Sequence, residues 1–322
     1  MTPRMRVGLI EFPRKSTLPN IALMRLSTYH KALGNAVILN PTPFDPPEVL
    51  YISTLFTWQR HNVVELAAHF QAHSDVQIGG SGWNLSLRLP SEVDAMPNDY
   101  DLFGIDYGIG YSSRGCPRAC DFCPVTRMEG RRVLEASAIT GLLNPLSNRL
   151  LLLDNNFFLS DWRPKVAEIR ERELHVSWPQ GLDIRVVDYE QASVLADLHR
   201  RRQLWNQRFT KRGQLHFAWD SPKVPHEEVT RGIHLLFDAG FGPNDLIFYV
   251  LIGYPGYTVD EELHRITTLH RLGIHPKVMV YRDFGEKDTR DPVRMDIQHW
   301  NDGHTWRKAV PNFRNYRRSK AS

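Results

Sequence analysis

The sequence predicts an α/β protein with a doubly wound parallel layer at the N-terminus, followed by a partial (β/α)6 barrel. Three observations carry that expectation. Apolar strand-like runs alternate with helix-period segments along most of the 322 residues. Capping-box spacings and glycine stops punctuate the helical segments. The alternation breaks once, around residues 90–106, ahead of a cysteine-rich stretch, which places one boundary there.

In the first layer, MRVGLIEFP is an apolar strand, and Asn20 is placed to cap the helix IALMRLSTYHKAL, with Gly34 as its stop. NAVILN is the next strand, EVLYISTLF another, WQRHNVVELAAHFQAH a helix and DVQIGGSG a strand entering a glycine turn. The passage PSEVDAMPNDYDLFGID is less regular.

Beyond the cysteines, RVLEASAITGLL reads as a helix, NRLLLLD as a strand and SDWRPKVAEIRERE as a helix capped by Ser160 or Asp161. HVSWPQGLDI is the next strand. Asp188 and Gln191 have capping-box spacing ahead of YEQASVLADLHRRR. The strand GQLHFAWD, the helix HEEVTRGIHLLFDA stopped by Gly240 and the strand DLIFYVLIG follow. Thr258 and Glu261 open VDEELHRITTLHRL, Gly273 stops it, and PKVMVYRDF closes a series of about six β/α units. The expected domains are therefore residues 1–106, 107–284 and, where the pattern dissolves after Phe284, a basic C-terminal extension over 285–322.

No apolar run approaches the roughly 18 to 20 residues that a membrane-spanning helix needs, and MTPRMRVGLIEFP does not read as a signal peptide. The chain is expected to be cytoplasmic and to have no membrane partner. Its formal charge of +4 is uneven: residues 199–212 and 304–322 each carry six Lys or Arg and no acid. Without those twelve, 28 basic residues face 36 acidic ones. Both basic segments interleave aromatics, Trp205 and Phe209 in one and Trp306, Phe313 and Tyr316 in the other. Cations neutralise phosphates while rings stack bases, so a nucleic acid or a nucleotide-like anion is the expected partner. A solvated tail and ordinary core aromatics are the competing explanation.

The three cysteines of the chain, Cys116, Cys120 and Cys123, lie within eight positions. Their number and crowding do not suit a disulfide framework and point to a metal site in a reducing compartment. Zinc would want a fourth protein ligand, and the nearest downstream histidine, His175, is more than fifty residues on. Three thiolates leave one position open, which suits a [4Fe-4S] cluster with one iron free to bind a further molecule.

The stretch GCPRACDFC resembles the C-x3-C-x-aromatic-C signature of the radical S-adenosylmethionine (radical SAM) superfamily. The resemblance implies that the open iron chelates S-adenosylmethionine (SAM) and that reductive cleavage yields a 5'-deoxyadenosyl radical, with an external electron donor. It implies that Phe122 packs near the adenine. It also implies that the end of LLLLDNNFF brings Asp154, Asn155 and Asn156 near the methionine amine, and that QGLDIR offers Asp183 and Arg185, the latter to the carboxylate. FAWDSP would offer Asp220 and Ser221 for polar contacts, and VLIGYPGYTVDE would line adenine with Ile252 and Gly253.

The N-terminal layer resembles the cobalamin-binding-type domain that precedes the barrel in one radical SAM subgroup. The Asp-x-His-x-x-Gly motif is absent, however, since His30 and Gly34 lie in a helix, so the domain is read as degenerate and cobalamin is not expected. No cysteine remains for a second cluster or a methyl-carrying thiol, which excludes methylthiotransferase-like and methylsynthase-type chemistry and leaves hydrogen abstraction from an unidentified substrate. Tyr249, Tyr254, Tyr257 and Tyr281 are candidates for quenching a substrate radical, with packing at strand ends as the competing explanation, and His299 and His304 for acid–base or metal roles. The alternative class is a non-catalytic nucleic-acid-binding protein with a structural iron-sulfur or zinc site.

Overall fold

A computed structural model describes residues 5–13, 18–205, 213–282, 291–304 and 309–316. It is a mixed α/β structure in which every sheet but one is parallel.

The first layer runs β1 (Arg6–Phe12), α1 (Ile21–Ala32), β2 (Ala36–Leu39), β3 (Val49–Thr54), α2 (Arg60–Ala68) and β4 (Asp75–Gly79), with strand order β2-β1-β3-β4. Strand alternation supplies both faces. Val7 and Leu9 pack on Leu23 and Leu26 of α1, while Ile10, Leu50 and Ile52 pack on Val63, Ala67 and Phe70 on the other side. The Asn20 side chain accepts from the Leu23 N–H at 3.2 Å, and Gly34 takes a left-handed φ of +80° just past the helix.

A short helix, α3 (Ser91–Asp94), falls in the passage that reads as irregular. Then come β5 (Gly108–Gly110), β6 (Ser113–Arg114), α4 (Val125–Glu129) and β7 (Leu134–Glu135). The helix expected over residues 132–143 does not form. Leu134 and Glu135 pair antiparallel with Arg114 and Ser113, and only a 3-10 turn at Ile139–Leu142 remains helical. The backbone there is claimed by the cysteine stretch it flanks, which overrides local propensity.

The remaining units are β8 (Arg149–Leu152), α5 (Trp162–Glu171), β9 (His175–Ser177), α6 (Tyr189–Arg200), β10 (Leu215–Ala218), α7 (His226–Asp238), β11 (Leu246–Ile252), α8 (Val259–Arg271), β12 (Pro276–Val280) and α9 (Pro292–Asp302). The strands pair as β5-β8-β9 and β10-β11-β12, and one parallel bridge, Leu182 to Phe217, links the two sheets. The strand expected over 175–184 is thus interrupted: it pairs at 175–177, turns through Gly181 and touches the next strand again at Leu182. At α5, Asp161 occupies the cap position, but neither it nor Ser160 makes a side-chain capping bond.

One large core joins these strands to their helices. It includes Phe217, Phe248, Ile266 and the fully buried Trp300, which lies on α9 inside the segment read as a C-terminal extension. The first layer is pinned to this body through Met24 of α1, which is buried among Tyr107, Ile109, Leu151 and Leu153. The helix that caps the first sheet therefore also backs the strands leading to the cysteines. Among the described residues no helix is long and apolar enough to cross a membrane.

Candidate iron-sulfur and S-adenosylmethionine site

The cysteines sit on the loop after β6, beyond the C-terminal end of β5. Its base is closed twice: the Gly115 N–H donates to Glu129 at 3.1 Å, and the Cys116 N–H donates to the Gly130 carbonyl at 3.2 Å. Gly115 has φ +90°, and a Cβ there would lie 2.1 Å from the Arg132 carbonyl oxygen, so no other residue fits. Ala119 adopts φ +49° between the first two cysteines.

The loop lies across four successive strand ends, one contact to each. After β8, the Asn156 amide donates to Cys116 Sγ at 3.8 Å and to Asp183 at 3.1 Å. After β9, Asp183 accepts from Arg118 of the loop at 2.7 Å. After β10, Lys223 pairs with Asp121. After β11, Tyr254 meets the edge of Phe122, with ring centroids 6.1 Å apart, and Tyr281 meets Tyr254 at 4.9 Å. The C-terminal ends of consecutive parallel strands are where α/β folds assemble sites.

Asp183 is the hub. Arg185 grips it with Nε at 2.6 Å and a terminal nitrogen at 3.0 Å. Burial draws this carboxyl upward, but the bonds and charges of Arg185 and Arg118 outweigh it and hold Asp183 below the usual carboxylate range. Arg185 was expected to be open to an anion; two of its nitrogens are instead committed to Asp183.

Asp154 is 2% exposed and spends both oxygens on the backbone and hydroxyls of Ser112 and Ser113, at 2.5 to 3.2 Å. Asn155 donates to Glu129, which also binds Arg114 at 3.3 Å. Asn156 is buried, and its Oδ1 has no partner among the described residues. Asp220, half-buried, accepts from the Leu251 N–H at 2.8 Å through Oδ1, and no hydrogen bond to Oδ2 forms among the described residues. Burial raises it to about 6 against the pull of Arg265 and Arg185. Ser221 is buried and accepts from the Tyr257 hydroxyl at 3.1 Å. Ile252 is fully buried in the core and its carbonyl accepts from the Tyr281 N–H at 2.7 Å, so it presents no surface toward the loop, and the Gly253 N–H is given to buried Glu262 at 2.6 Å.

All three cysteines are free and half-buried. Burial pushes the Cys120 and Cys123 thiols up, the Arg185 charge acts against it at Cys120, and each of the two is raised further by its cysteine neighbours. Among the described residues no three His, Cys, Asp or Glu side chains are gathered as a ready metal cage. His175 begins β9, at the opposite end of that strand from Asp183.

The outlying candidates fall elsewhere. His299 bonds the Tyr316 hydroxyl at 2.6 Å, and His304 stacks on His275, far along the chain from the loop. Tyr249 donates to the Pro179 carbonyl at 2.9 Å. Trp205 packs between Tyr107 and Arg149, Phe313 against Trp300, and Arg200 and Arg201 are both paired with Asp197. Phe209 and Trp306 lie outside the described residues. Sequence reasoning missed Gly115, Arg118, Asp121, Glu129 and Lys223; Gly115, Arg118 and Asp121 lie in or beside the cysteine motif, and nothing local marks the other two. No model of a known protein family matches the chain, and no curated protein matches it.

Proposed function

We propose that the protein is a radical SAM enzyme built on a partial (β/α)6 barrel, with Cys116, Cys120 and Cys123 holding one [4Fe-4S] cluster. The observation that carries this reading is the cysteine loop laid across the ends of β8, β9, β10 and β11 in order, through Asn156, Asp183, Lys223 and Tyr254. What supports a cluster there is the chemistry of the donors, three free thiols on one loop with a buried Asn156 Oδ1 unpartnered among the described residues; the thiols are not gathered as a cage, so a cluster would have to draw them together. When bound, the cluster would supply the electron that cleaves SAM to the hydrogen-abstracting 5'-deoxyadenosyl radical.

The chain's own residues divide the remaining work. Asp183 fixes Arg118, Arg185 and Asn156 in place, so loop and strand ends hold one arrangement before any ligand arrives. The open Oδ2 of Asp220 is the acceptor for an ammonium or hydroxyl donor of SAM. The Arg185 nitrogen not bonded to Asp183 is the donor for its carboxylate. Phe122, Tyr254 and Tyr281 form an aromatic wall for adenine. Asp154 acts at one remove, by holding Ser112 and Ser113 at the root of the loop.

The basic segments support an anionic substrate, a nucleic acid or nucleotide-like molecule, whose binding should weaken steeply with salt. The test of the whole reading is anaerobic reconstitution with iron and sulfide, followed by SAM and dithionite. Formation of 5'-deoxyadenosine and methionine is expected. Iron uptake and salt-dependent nucleic-acid binding without any 5'-deoxyadenosine would favour the non-catalytic alternative.

A further inference from the structure

The first layer holds a carboxyl that the cysteine chemistry does not use. Glu11 lies at the C-terminal end of β1, is 5% exposed, and its Oε1 is buried with no partner among the described residues. Strand register places Glu11 beside Ser53, and Ser53 beside Gly79, so the three line the C-terminal edges of adjacent strands. Glu11 shares a face with Val7 and Leu9, the face covered by α1, and the α1 cap residue Asn20 donates to Ser53 Oγ at 2.8 Å.

The strand order β2-β1-β3-β4 reverses between β1 and β3: the chain leaves β1 through α1 to one side and β3 through α2 to the other. Such reversals open a crevice at the strand ends, and in open α/β sheets that crevice is where ligands bind. Burial raises Glu11 to about 7, and no cation among the described residues opposes it. An isolated buried carboxyl costs stability, and its natural complement is a positive charge brought in from outside.

We propose that Glu11 anchors a second ligand site, at the crossover between β1 and β3, that takes the ammonium group of a small organic molecule. The carboxylate meets the charge, and Ser53 Oγ offers a second acceptor to the remaining N–H donors. The site belongs to the first layer and stands whether or not the cysteines carry a cluster.

Ligand-observed NMR on the full chain with benzylammonium tests it, with benzyl alcohol and benzoate as neutral and anionic controls. Benzylammonium should bind with a dissociation constant on the order of 1 mM or tighter, as expected for a ligand of that size. Binding should weaken at least tenfold in the near-isosteric Glu11→Gln, and hold in Glu65→Gln, which removes an exposed carboxylate from the same layer. Glu11→Gln should also raise the melting temperature, since it removes an unpaired buried acid. Absence of benzylammonium binding, equal binding by Glu11→Gln, equal binding of benzoate, or a lowered melting temperature in Glu11→Gln overturns the proposal.

Discussion

Arg118, between the first two cysteines, donates through Nε to the Asp183 carboxylate at 2.7 Å, which ties the cysteine loop to the end of β9. Arg185 and Asn156 converge on the same carboxylate. Asp183→Ala should therefore leave three donors without their acceptor and cost about 2 to 4 kcal/mol in urea denaturation. Because the folded carboxyl is held below its unfolded value, this contribution is present above pH ~4 and is lost as pH falls through the folded value. The wild type and Asp183→Ala should converge in stability on acidification; a constant gap would contradict the assignment.

Gly115→Ala should open the base of the loop. The added Cβ meets a backbone carbonyl at 2.1 Å, and the left-handed φ is strained for any side chain. Thiol-alkylation rates of Cys116 in the iron-free protein should rise several-fold while far-ultraviolet circular dichroism stays unchanged. Unaltered alkylation would mean that the loop is not held at this point.

Asp154→Ala removes the acceptor for four buried donors on Ser112 and Ser113. A loss of about 3 kcal/mol is expected by chemical denaturation. Asp154→Asn should recover part of it, because one amide oxygen still accepts. Full stability of Asp154→Ala would remove this residue from the root of the loop.

Asp220 titrates with the opposite sign to Asp183. Burial raises its folded value to about 6, so ionisation opposes folding, and its contribution declines as pH rises from the unfolded value near 4 through 6. Asp220→Asn should gain about 1 to 2 kcal/mol at pH 7.5, with the gain shrinking toward pH 4, while SAM binding, followed by calorimetry on the reconstituted protein, weakens. A variant less stable at pH 7.5 would show that the charged form has a stabilising partner.

Much of the architecture is legible locally. The Asp188/Gln191 and Thr258/Glu261 spacings both form reciprocal capping boxes, because each closes within four residues and needs no tertiary partner. The parallel pairing follows from strands separated by helices. What local pattern misses is decided across the fold: residues 132–143 give up a helix to pair with β6, and α9 is drawn in by burying Ile297 and Trp300. Of the residues expected around the cysteines, Asn156 and Asp183 touch their loop, while others have different duties. Asp154 is committed to Ser112 and Ser113, 42 and 41 residues away, and so distant a partner leaves no trace in spacing; Arg185 turns back on Asp183 two residues before it, a pairing that spacing permits but does not require. Glu11 is hidden for the converse reason, because an acid in an apolar strand gives no sign of lacking a partner.

The most direct test of the central claim is the yield of 5'-deoxyadenosine from anaerobically reconstituted protein given SAM and dithionite, compared with single Cys116→Ser, Cys120→Ser and Cys123→Ser variants. The wild type should produce 5'-deoxyadenosine and methionine, and each variant should fall by at least a hundredfold. Iron-loaded wild type that produces neither compound, or a serine variant that retains full yield, would contradict the account.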